Sequence, residues 1–185
     1  MGHMHGTLSS LGIRQSKDLA KKLSKVKFNH IYSSDLGRCV ATAEFIKKYH
    51  PDTELTFTKR LREFDFGKFQ GKERDTVNKN LDILLSDTSK KLPEGESIND
   101  LQARLKFFIS KVYSIYPNGT VLFVTHSTFL KNAISIYLKL PIIEIQKKVH
   151  VKNASMIILD FTSGSGGSLI DTAGVSVDDS NIKLL

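Results

Sequence analysis

This 185-residue chain has no long apolar run, no secretory signal and only one cysteine, and each of these features excludes a class of protein. No apolar run reaches about 18 residues, so the sequence predicts no membrane span. The amino terminus lacks the basic-then-apolar layout of a secretory signal. The single cysteine, Cys39, cannot form an internal disulfide, and its apolar helix face predicts a small core residue. We therefore expect a protein of the reducing cytoplasm.

The composition is that of an ordinary soluble globule, with 40% hydrophobic and 25% charged residues. The length fits one domain with its own core, and neither repeats nor a composition shift mark a second one. We therefore expect a single domain over residues 1–185. Its last part, 162–185, is expected to hold a Gly/Ser turn, Thr162 to Ser168, and then a weak strand pair or an ordered tail.

The net charge of +8 raises the possibility of nucleic-acid binding. The lysines are scattered, however, and no aromatic-basic alternation or nucleic-acid motif accompanies them. The same positive potential would attract a small phosphorylated metabolite and raise its encounter rate. We favour that partner, and nothing in the sequence indicates an oligomeric state.

Strands and helices alternate along the chain, which predicts an α/β fold. The expected helices are Ser9–Lys25, Leu36–Tyr49, one within Lys72–Leu92, Glu96–Ile115 and Phe129–Leu140. The expected strands are Asn29–Ser33, an edge strand Glu54–Thr58, a central strand Thr120–Thr125 and Ala154–Phe161. In the helix that ends at Ile115 we expect Phe107, Phe108 and Val112 to face inward.

The segment Val121–Thr128 is the most informative in the chain, because an apolar strand runs directly into His126 and two hydroxyls, Ser127 and Thr128. At the end of a buried parallel strand these groups meet the free N–H groups of a helix N-terminus. Such a place attracts anions. The segment therefore suggests a phosphate site, although a lone histidine at a helix start is more often a helix cap or a packed side chain.

Two further segments support the phosphate site. His30–Arg38 is a second short strand followed by hydroxyls, with Asp35 as the expected N-cap and Arg38 in the first helical turn. Leu61–Gly71 sets the carboxylate of Glu63 among aromatics and glycines, where it could be tuned as an acid.

Together these segments resemble the histidine phosphatase superfamily, which has the phosphoglycerate-mutase-like fold. The resemblance covers about residues 2–160 and comes in the family's order. It is carried by Ser33-Ser34-Asp35-Leu36-Gly37-Arg38, Leu61-Arg62-Glu63, Pro93-Glu94-Gly95-Glu96-Ser97 and Val124-Thr125-His126. It implies a three-layer α/β/α fold with a mostly parallel central sheet.

The family's nucleophile motif does not occur in the chain. Members open with a strand that ends in Arg-His-Gly, whose histidine becomes phosphorylated, whereas Gly2–Gln15 resembles the segment that normally follows that motif. We therefore expect the first strand to be missing and leave the nucleophile unassigned. His5-Gly6 as a degenerate motif is a weaker alternative because no apolar strand precedes it, and His3 is expected to be a turn residue.

The resemblance implies a role for each candidate site residue. Arg38 and His126 would hold the phosphoryl oxygens, and Ser127 could add a hydroxyl or N–H contact. Glu63 would protonate the leaving alcohol and later deprotonate water. Arg62 is expected to be a structural ion-pair partner. No metal or other cofactor is implied.

Three functional hypotheses remain open at this point. The Phe64-Asp65-Phe66-Gly67 spelling resembles phosphatases more than mutases, which favours phosphomonoester hydrolysis through a phosphohistidine, with this chain truncated or inactive as given. The alternatives are a non-catalytic protein that binds a phosphate ligand, and a basic nucleic-acid-binding domain.

A missing first strand would also affect the sheet. The family places this strand near the middle, so its loss would leave two inner strand edges unpaired and a core face open. A less favoured alternative is that the tail Leu169–Leu185 fills the gap.

Overall fold

The computed structural model describes residues 2–161 and 168–178. A parallel sheet forms its middle layer and consists of β1 (His30–Ser34), β2 (Leu55–Thr58) and β3 (Val121–Val124), in the order β2-β1-β3. Both strand pairs are parallel, so their carboxyl ends lie at one edge of the sheet. Helices cover both faces, which gives the expected three-layer α/β fold.

Six helices surround the sheet in the described part of the chain. They are α1 (Ser10–Leu23), α2 (Gly37–Lys47), α3 (Arg74–Ser86), α4 (Ile98–Ile115), α5 (Ser127–Leu138) and α6 (Ile142–Lys148). The first five agree with the sequence expectations to within a few residues, whereas α6 was not expected. None of the described helices is long and apolar enough to cross a membrane.

Alternation along the strands supplies two separate cores. Ile31 and Val124 point to one face and pack with Ala20, Ala43 and Ile46 of α1 and α2. Tyr32 and Phe123 point to the other face, where they join the larger core that α4 and α5 contribute to. Packing on both faces explains why β3 is a continuous apolar run, Val121–Val124.

The helix α4 is firmly anchored at its start. Ser97 accepts the N–H of Asp100 at 3.0 Å, and the Asp100 carboxylate accepts the N–H of Ser97 at 3.0 Å, which forms a capping box. Phe108 and Val112 are buried as expected. The expectation for Phe107 was wrong, because it is 60% exposed and lies under the Arg60 guanidinium, 5.5 Å from ring centroid to Cζ.

Two long strands form a separate antiparallel pair, β4 (Val149–Asp160) and β5 (Ser168–Val177). The strand expected within Ala154–Phe161 is therefore longer than expected, and the expected strand in the tail begins at Ser168. β5 pairs with β4 and not with β3, so the described part of the tail does not fill the gap beside β3. Most of the expected turn (162–167) and the last residues of the tail (179–185) lie outside the described residues.

The outer edge of β3 borders a groove, which we call the slot. The slot lies between Val121–Val124 and Val151–Phe161 and belongs to a cavity of about 1070 Å³. Leu19 and Leu23 of α1 and Val112 of α4 also line this cavity. In the described part of the chain, β3 pairs with β1 alone. The expectation that β3 is central was therefore wrong for this chain, and its residues are only partly buried up to Val124 for the same reason.

Backbone direction shows which groups face the slot. Thr120 donates its N–H to Asn29 Oδ1 and accepts the Asn29 N–H, both at 2.8 Å, so Thr120 is directed toward β1. Directions alternate along a parallel strand, and Leu122 and Val124 therefore also bond to β1. The N–H and C=O groups of Val121 and Phe123 face the slot.

This alternation predicts unequal hydrogen exchange within one short strand. The amides of Val121 and Phe123 are expected to exchange at least about tenfold faster than those of Leu122 and Val124, because only the latter two donate to β1. Residue-resolved exchange measured by NMR checks this. Equal protection of all four amides would show that another strand occupies the slot.

Candidate active site

The candidate site lies where the carboxyl ends of β1 and β3 meet. Beyond β1 the chain passes Asp35 and enters α2 at Gly37, and beyond β3 it passes His126 and enters α5 at Ser127. Two helix N-termini therefore face the same edge of the sheet, as in other open α/β sheets that bind ligands there. Ser127, exposed at the first position of α5, lines the same cavity as His126.

Arg38 and His126 are in direct contact. The guanidinium Nε donates to His126 Nδ1 at 3.1 Å. A guanidinium can only donate, so Nδ1 is the unprotonated nitrogen and Nε2–H donates to Ser34 Oγ at 2.9 Å. Burial, together with the positive charge of Arg38, lowers the pKa of His126 from its ordinary value to about 3. The imidazole is therefore neutral at neutral pH.

The remaining guanidinium nitrogens of Arg38 bind the N-terminal loop. Nη2 donates to the Gly2 carbonyl at 2.9 Å and Nη1 donates to the Met4 carbonyl at 3.2 Å. A fork that holds two oxygens in this way has the geometry that also suits two oxygens of a phosphate. The loop and a phosphate would therefore compete for the same donors.

Glu63 lies beside the start of α5. Its Oε2 accepts the N–H of Thr128 at 3.3 Å, and its Oε1 accepts the N–H of Phe64 at 2.9 Å. The carboxylate therefore lies at the positive N-terminal end of α5, next to Thr128. Glu63, Arg38 and His126 all line one cavity. The sequence predicted that these three side chains lie close together.

Arg62 and Asp35 form the structural ion pair that was expected for Arg62. Two guanidinium nitrogens of Arg62 donate to the two carboxylate oxygens of Asp35, both at 2.6 Å. These bonds lower the pKa of Asp35. The expectation that Asp35 caps α2 was wrong, because its carboxylate is engaged by Arg62 and the N-cap residue is Leu36.

The N-terminal turn contributes a histidine that the sequence did not place at the site. His3 lies in a turn, as expected, but its Nε2 is 2.8 Å from the Glu63 carbonyl oxygen and its Nδ1 is 3.3 Å from Asp65 Oδ2. Both neighbours are hydrogen-bond acceptors, so both ring nitrogens of His3 are engaged by contacts within the protein. His5 is exposed.

Sequence reasoning missed Ser34, Glu96 and Arg104 as residues that support the site. Ser34 accepts from His126, and Arg104 binds both Glu96 and the carbonyl of Glu63. Glu96 belongs to the motif Pro93-Glu94-Gly95-Glu96-Ser97, in which position 95 has room for glycine alone. A Cβ on Gly95 would lie 2.5 Å from the Asp65 carbonyl oxygen. Arg104 gave no signal in the sequence.

The arrangement agrees with what comparison with known proteins shows. The family model described as "Histidine phosphatase superfamily (branch 1)" matches residues 1–169. The chain belongs to this superfamily. The resemblance of its four motifs is thereby confirmed, and so is the phosphoglycerate-mutase-like fold.

Curated relatives and solved structures differ in the activity that they are named for. A probable phosphoglycerate mutase GpmB of Proteus mirabilis is 29% identical, over 94% of this chain and 83% of its own length. Among solved structures, the native mycobacterial glucosyl-3-phosphoglycerate phosphatase is 25% identical, with a TM-score of 0.74 over 86% of this chain and 80% of that one.

A second solved structure is similar over more of the chain. YhfR of Bacillus stearothermophilus is 25% identical with a TM-score of 0.76, over 96% of this chain and 87% of that one. A phosphoserine phosphatase from Entamoeba histolytica, solved with 3-phosphoglyceric acid, has a TM-score of 0.80 at 24% identity, over 93% of this chain and 86% of that one. This last likeness shows the fold.

The buried neutral imidazole predicts how stability depends on pH. In the unfolded chain His126 binds a proton below about pH 6.5, whereas in the folded chain it stays neutral down to about pH 3. Stability is therefore lost as the pH falls through this window, by up to about 1.4 kcal/mol per pH unit from this group. The substitution His126→Asn should make the curve flatter.

Urea unfolding between pH 6.5 and 4.5 measures this effect. The buried His30, whose pKa burial also lowers, contributes equally to both proteins and cancels in the comparison. His5→Asn, an exposed site, serves as the control and should keep the full slope. Parallel curves for the unchanged chain and His126→Asn would contradict the buried neutral state.

Proposed function

We propose that this site binds the phosphoryl group of a small phosphorylated metabolite and that its chemistry is phosphomonoester hydrolysis through a phosphohistidine. The observation that carries the proposal is the contact between the Arg38 guanidinium and the neutral imidazole of His126, at the junction of two helix N-termini and beside Glu63. The protein is proposed to act as one domain over residues 1–185 in the reducing cytoplasm, where the buried Cys39 thiol stays reduced.

Arg38 is the proposed phosphate clamp. When a phosphate enters, its oxygens replace the carbonyls of Gly2 and Met4 on the two terminal guanidinium nitrogens. The exchange favours phosphate because charge-assisted hydrogen bonds are roughly twice as strong as neutral ones. His126 and the α5 N-terminus, with Ser127, then surround the remaining oxygens.

Glu63 is the proposed acid and base. In the first step an imidazole nitrogen attacks phosphorus, the P–O bond to the alcohol breaks, and the leaving oxygen takes a proton from Glu63. In the second step water gives a proton to Glu63 and attacks the phosphohistidine. The N–P bond then breaks, which releases phosphate and restores the histidine.

The slot supports a place for the nucleophile that the resemblance requires. A strand that entered it parallel to β3 would pair with the backbone groups of Val121 and Phe123. Its carboxyl end would then arrive at the same sheet edge as His126 and Arg38. We propose that hydrolysis needs an Arg-His-Gly strand in the slot and that the 185 residues alone bind phosphate without turnover.

Water is the proposed acceptor, rather than a second hydroxyl as in a mutase. Phe64 and Phe66 are buried and pack edge to face with ring centroids 5.0 Å apart. Both belong to the segment Phe64–Gly67, whose sequence resembles that of the phosphatases of the superfamily more than that of the mutases. Solved relatives named as phosphatases agree with this choice, whereas the curated relatives named as probable mutases are the competing case.

The second candidate function is non-catalytic binding of a phosphate ligand. It is favoured by one observation, namely that the two histidines of the described site are already engaged: both ring nitrogens of His3 face acceptors, and Nδ1 of His126 accepts from Arg38. Binding of phosphate without turnover in every form of the chain would select it. Nucleic-acid binding would instead show a steep dependence of affinity on salt.

The first test compares the 185-residue chain with a form extended before Gly2 by an apolar strand, Arg-His-Gly and a connecting loop. Hydrolysis of p-nitrophenyl phosphate, without added metal, is expected only in the extended form. Arg38→Ala and His126→Ala should each lower its kcat/KM by about a hundredfold or more, because each removes a group that holds the phosphoryl charge.

Arg14→Ala is the matched control, since Arg14 is an exposed arginine on α1 that does not line the cavity. It should leave the rate within about twofold. An inactive extended form would reject the hydrolase, and activity of the unextended chain that depends on Arg38 would show that another nucleophile operates.

A further inference from the structure

We infer that Arg104, acting together with Glu96, is a positioning residue that fixes the Glu63 loop so that the carboxyl group reaches the leaving oxygen of the substrate. The inference rests on the proposed function of Glu63. Arg104 lies on α4, and its hydrogen bonds go to backbone carbonyls of the loop and to Glu96 rather than to the Glu63 carboxyl group, Arg38 or His126. Its charge also contributes to the lowered pKa of His126, and a lysine at this position keeps that charge.

The guanidinium of Arg104 uses all its donors. Nη1 donates to the carbonyls of Arg60 and Arg62, both at 2.8 Å, and Nη2 donates to the carbonyl of Glu63 at 3.3 Å. Nη2 also donates to Glu96 Oε1 at 2.7 Å, and Nε donates to Glu96 Oε2 at 3.4 Å. An arginine has five donor N–H groups, and here each has an acceptor.

Glu96 fixes the other side of the loop. Its Oε1 accepts the N–H of Asp65 at 3.0 Å, and its own N–H donates to the Asp65 carbonyl at 3.1 Å. The backbone is therefore held before Glu63, at Glu63 and two residues after it. The side chains of Arg104 and Glu96 are only 14% and 15% exposed, and the guanidinium lies 5.8 Å from the centroid of the Phe129 ring.

The loop needs this external support because it has little regular structure of its own. Between the short 3-10 turns Lys59–Leu61 and Gly67–Phe69 it forms no helix or strand. In contrast, α4 is an 18-residue helix with a capping box. By binding the loop carbonyls, Arg104 fixes the Glu63 backbone relative to α4. A buried ion pair adds little net stability, so a positioning role explains its presence better than stability does.

Lysine cannot replace the arginine in this geometry. It offers three donors from a single nitrogen, whereas the five acceptors lie around a planar fork. Arg104→Lys therefore keeps the charge and loosens the loop. The matched control is Arg60→Lys, the same change on an exposed side chain of the turn that precedes the loop, whose backbone carbonyl stays in place.

The test uses two substrates with the strand-extended chain. p-Nitrophenolate leaves without a proton, whereas the alkoxide of an alkyl phosphate such as 3-phosphoglycerate must be protonated. Arg104→Lys should lower the ratio of kcat/KM for the alkyl over the aryl ester by about tenfold or more, in the same direction as Glu63→Gln. A purely structural role would lower both rates equally, and an unchanged ratio would therefore overturn the inference, as would an equal drop in Arg60→Lys.

A second measurement does not need turnover. In the 185-residue chain, the amides of Phe64 and Thr128 donate to the Glu63 carboxylate. Their hydrogen exchange should be at least about tenfold faster in Arg104→Lys, and to a lesser degree in Glu96→Gln, while amides of the buried strand β1 keep their protection. Unchanged exchange at both amides would overturn the inference. If exchange is faster in Arg104→Lys but the strand-extended chain hydrolyses neither ester, the positioning role of Arg104 stands and the proposed function is rejected.

Discussion

The contact between Arg38 and His126 is the interaction on which the site depends. It joins the first turn of α2 to the residue that follows β3, and it sets the tautomer of the histidine, because the arginine can only donate to Nδ1. Ser34, the last residue of β1, accepts from the other nitrogen. Both strands must therefore keep their parallel register for the imidazole to have both partners.

The charges around Arg38 favour the binding of an anionic ligand. In the part of the chain that the structure describes, no carboxylate forms an ion pair with Arg38: Asp35 is engaged by Arg62, and Glu63 receives the backbone N–H groups of Phe64 and Thr128. The carbonyls that Arg38 binds carry only partial charges. A phosphate dianion brings the full charge that matches the arginine and the ends of α2 and α5.

Sequence patterns predicted, to a large extent, which side chains the structure brings together. The apolar run before His126, the position of Arg38 in the first turn after a strand and the carboxylate of Glu63 all follow from periodicity and from motif resemblance. These signals are local, and parallel strands bring their ends together without further information. The parts that were wrong or missed depend on neighbours that are distant in sequence.

Three examples show this dependence. Asp35 has the right identity and place for an N-cap, but a bidentate arginine is a stronger partner than a backbone N–H. The core-facing side of α4 includes Phe108 and Ile109, so Phe107, about 100° from Phe108 on the other side, points outward and packs on Arg60. Arg104 binds carbonyls, which every residue has, and therefore left no pattern to recognise.

Titration of the 185-residue chain with inorganic phosphate by calorimetry tests the account most directly, because it needs neither a nucleophile nor a substrate. We expect one site whose affinity is lost in Arg38→Ala and retained in Arg14→Ala, which removes the same charge elsewhere. Equal phosphate affinity in these two variants would contradict a phosphate site built on Arg38 and His126.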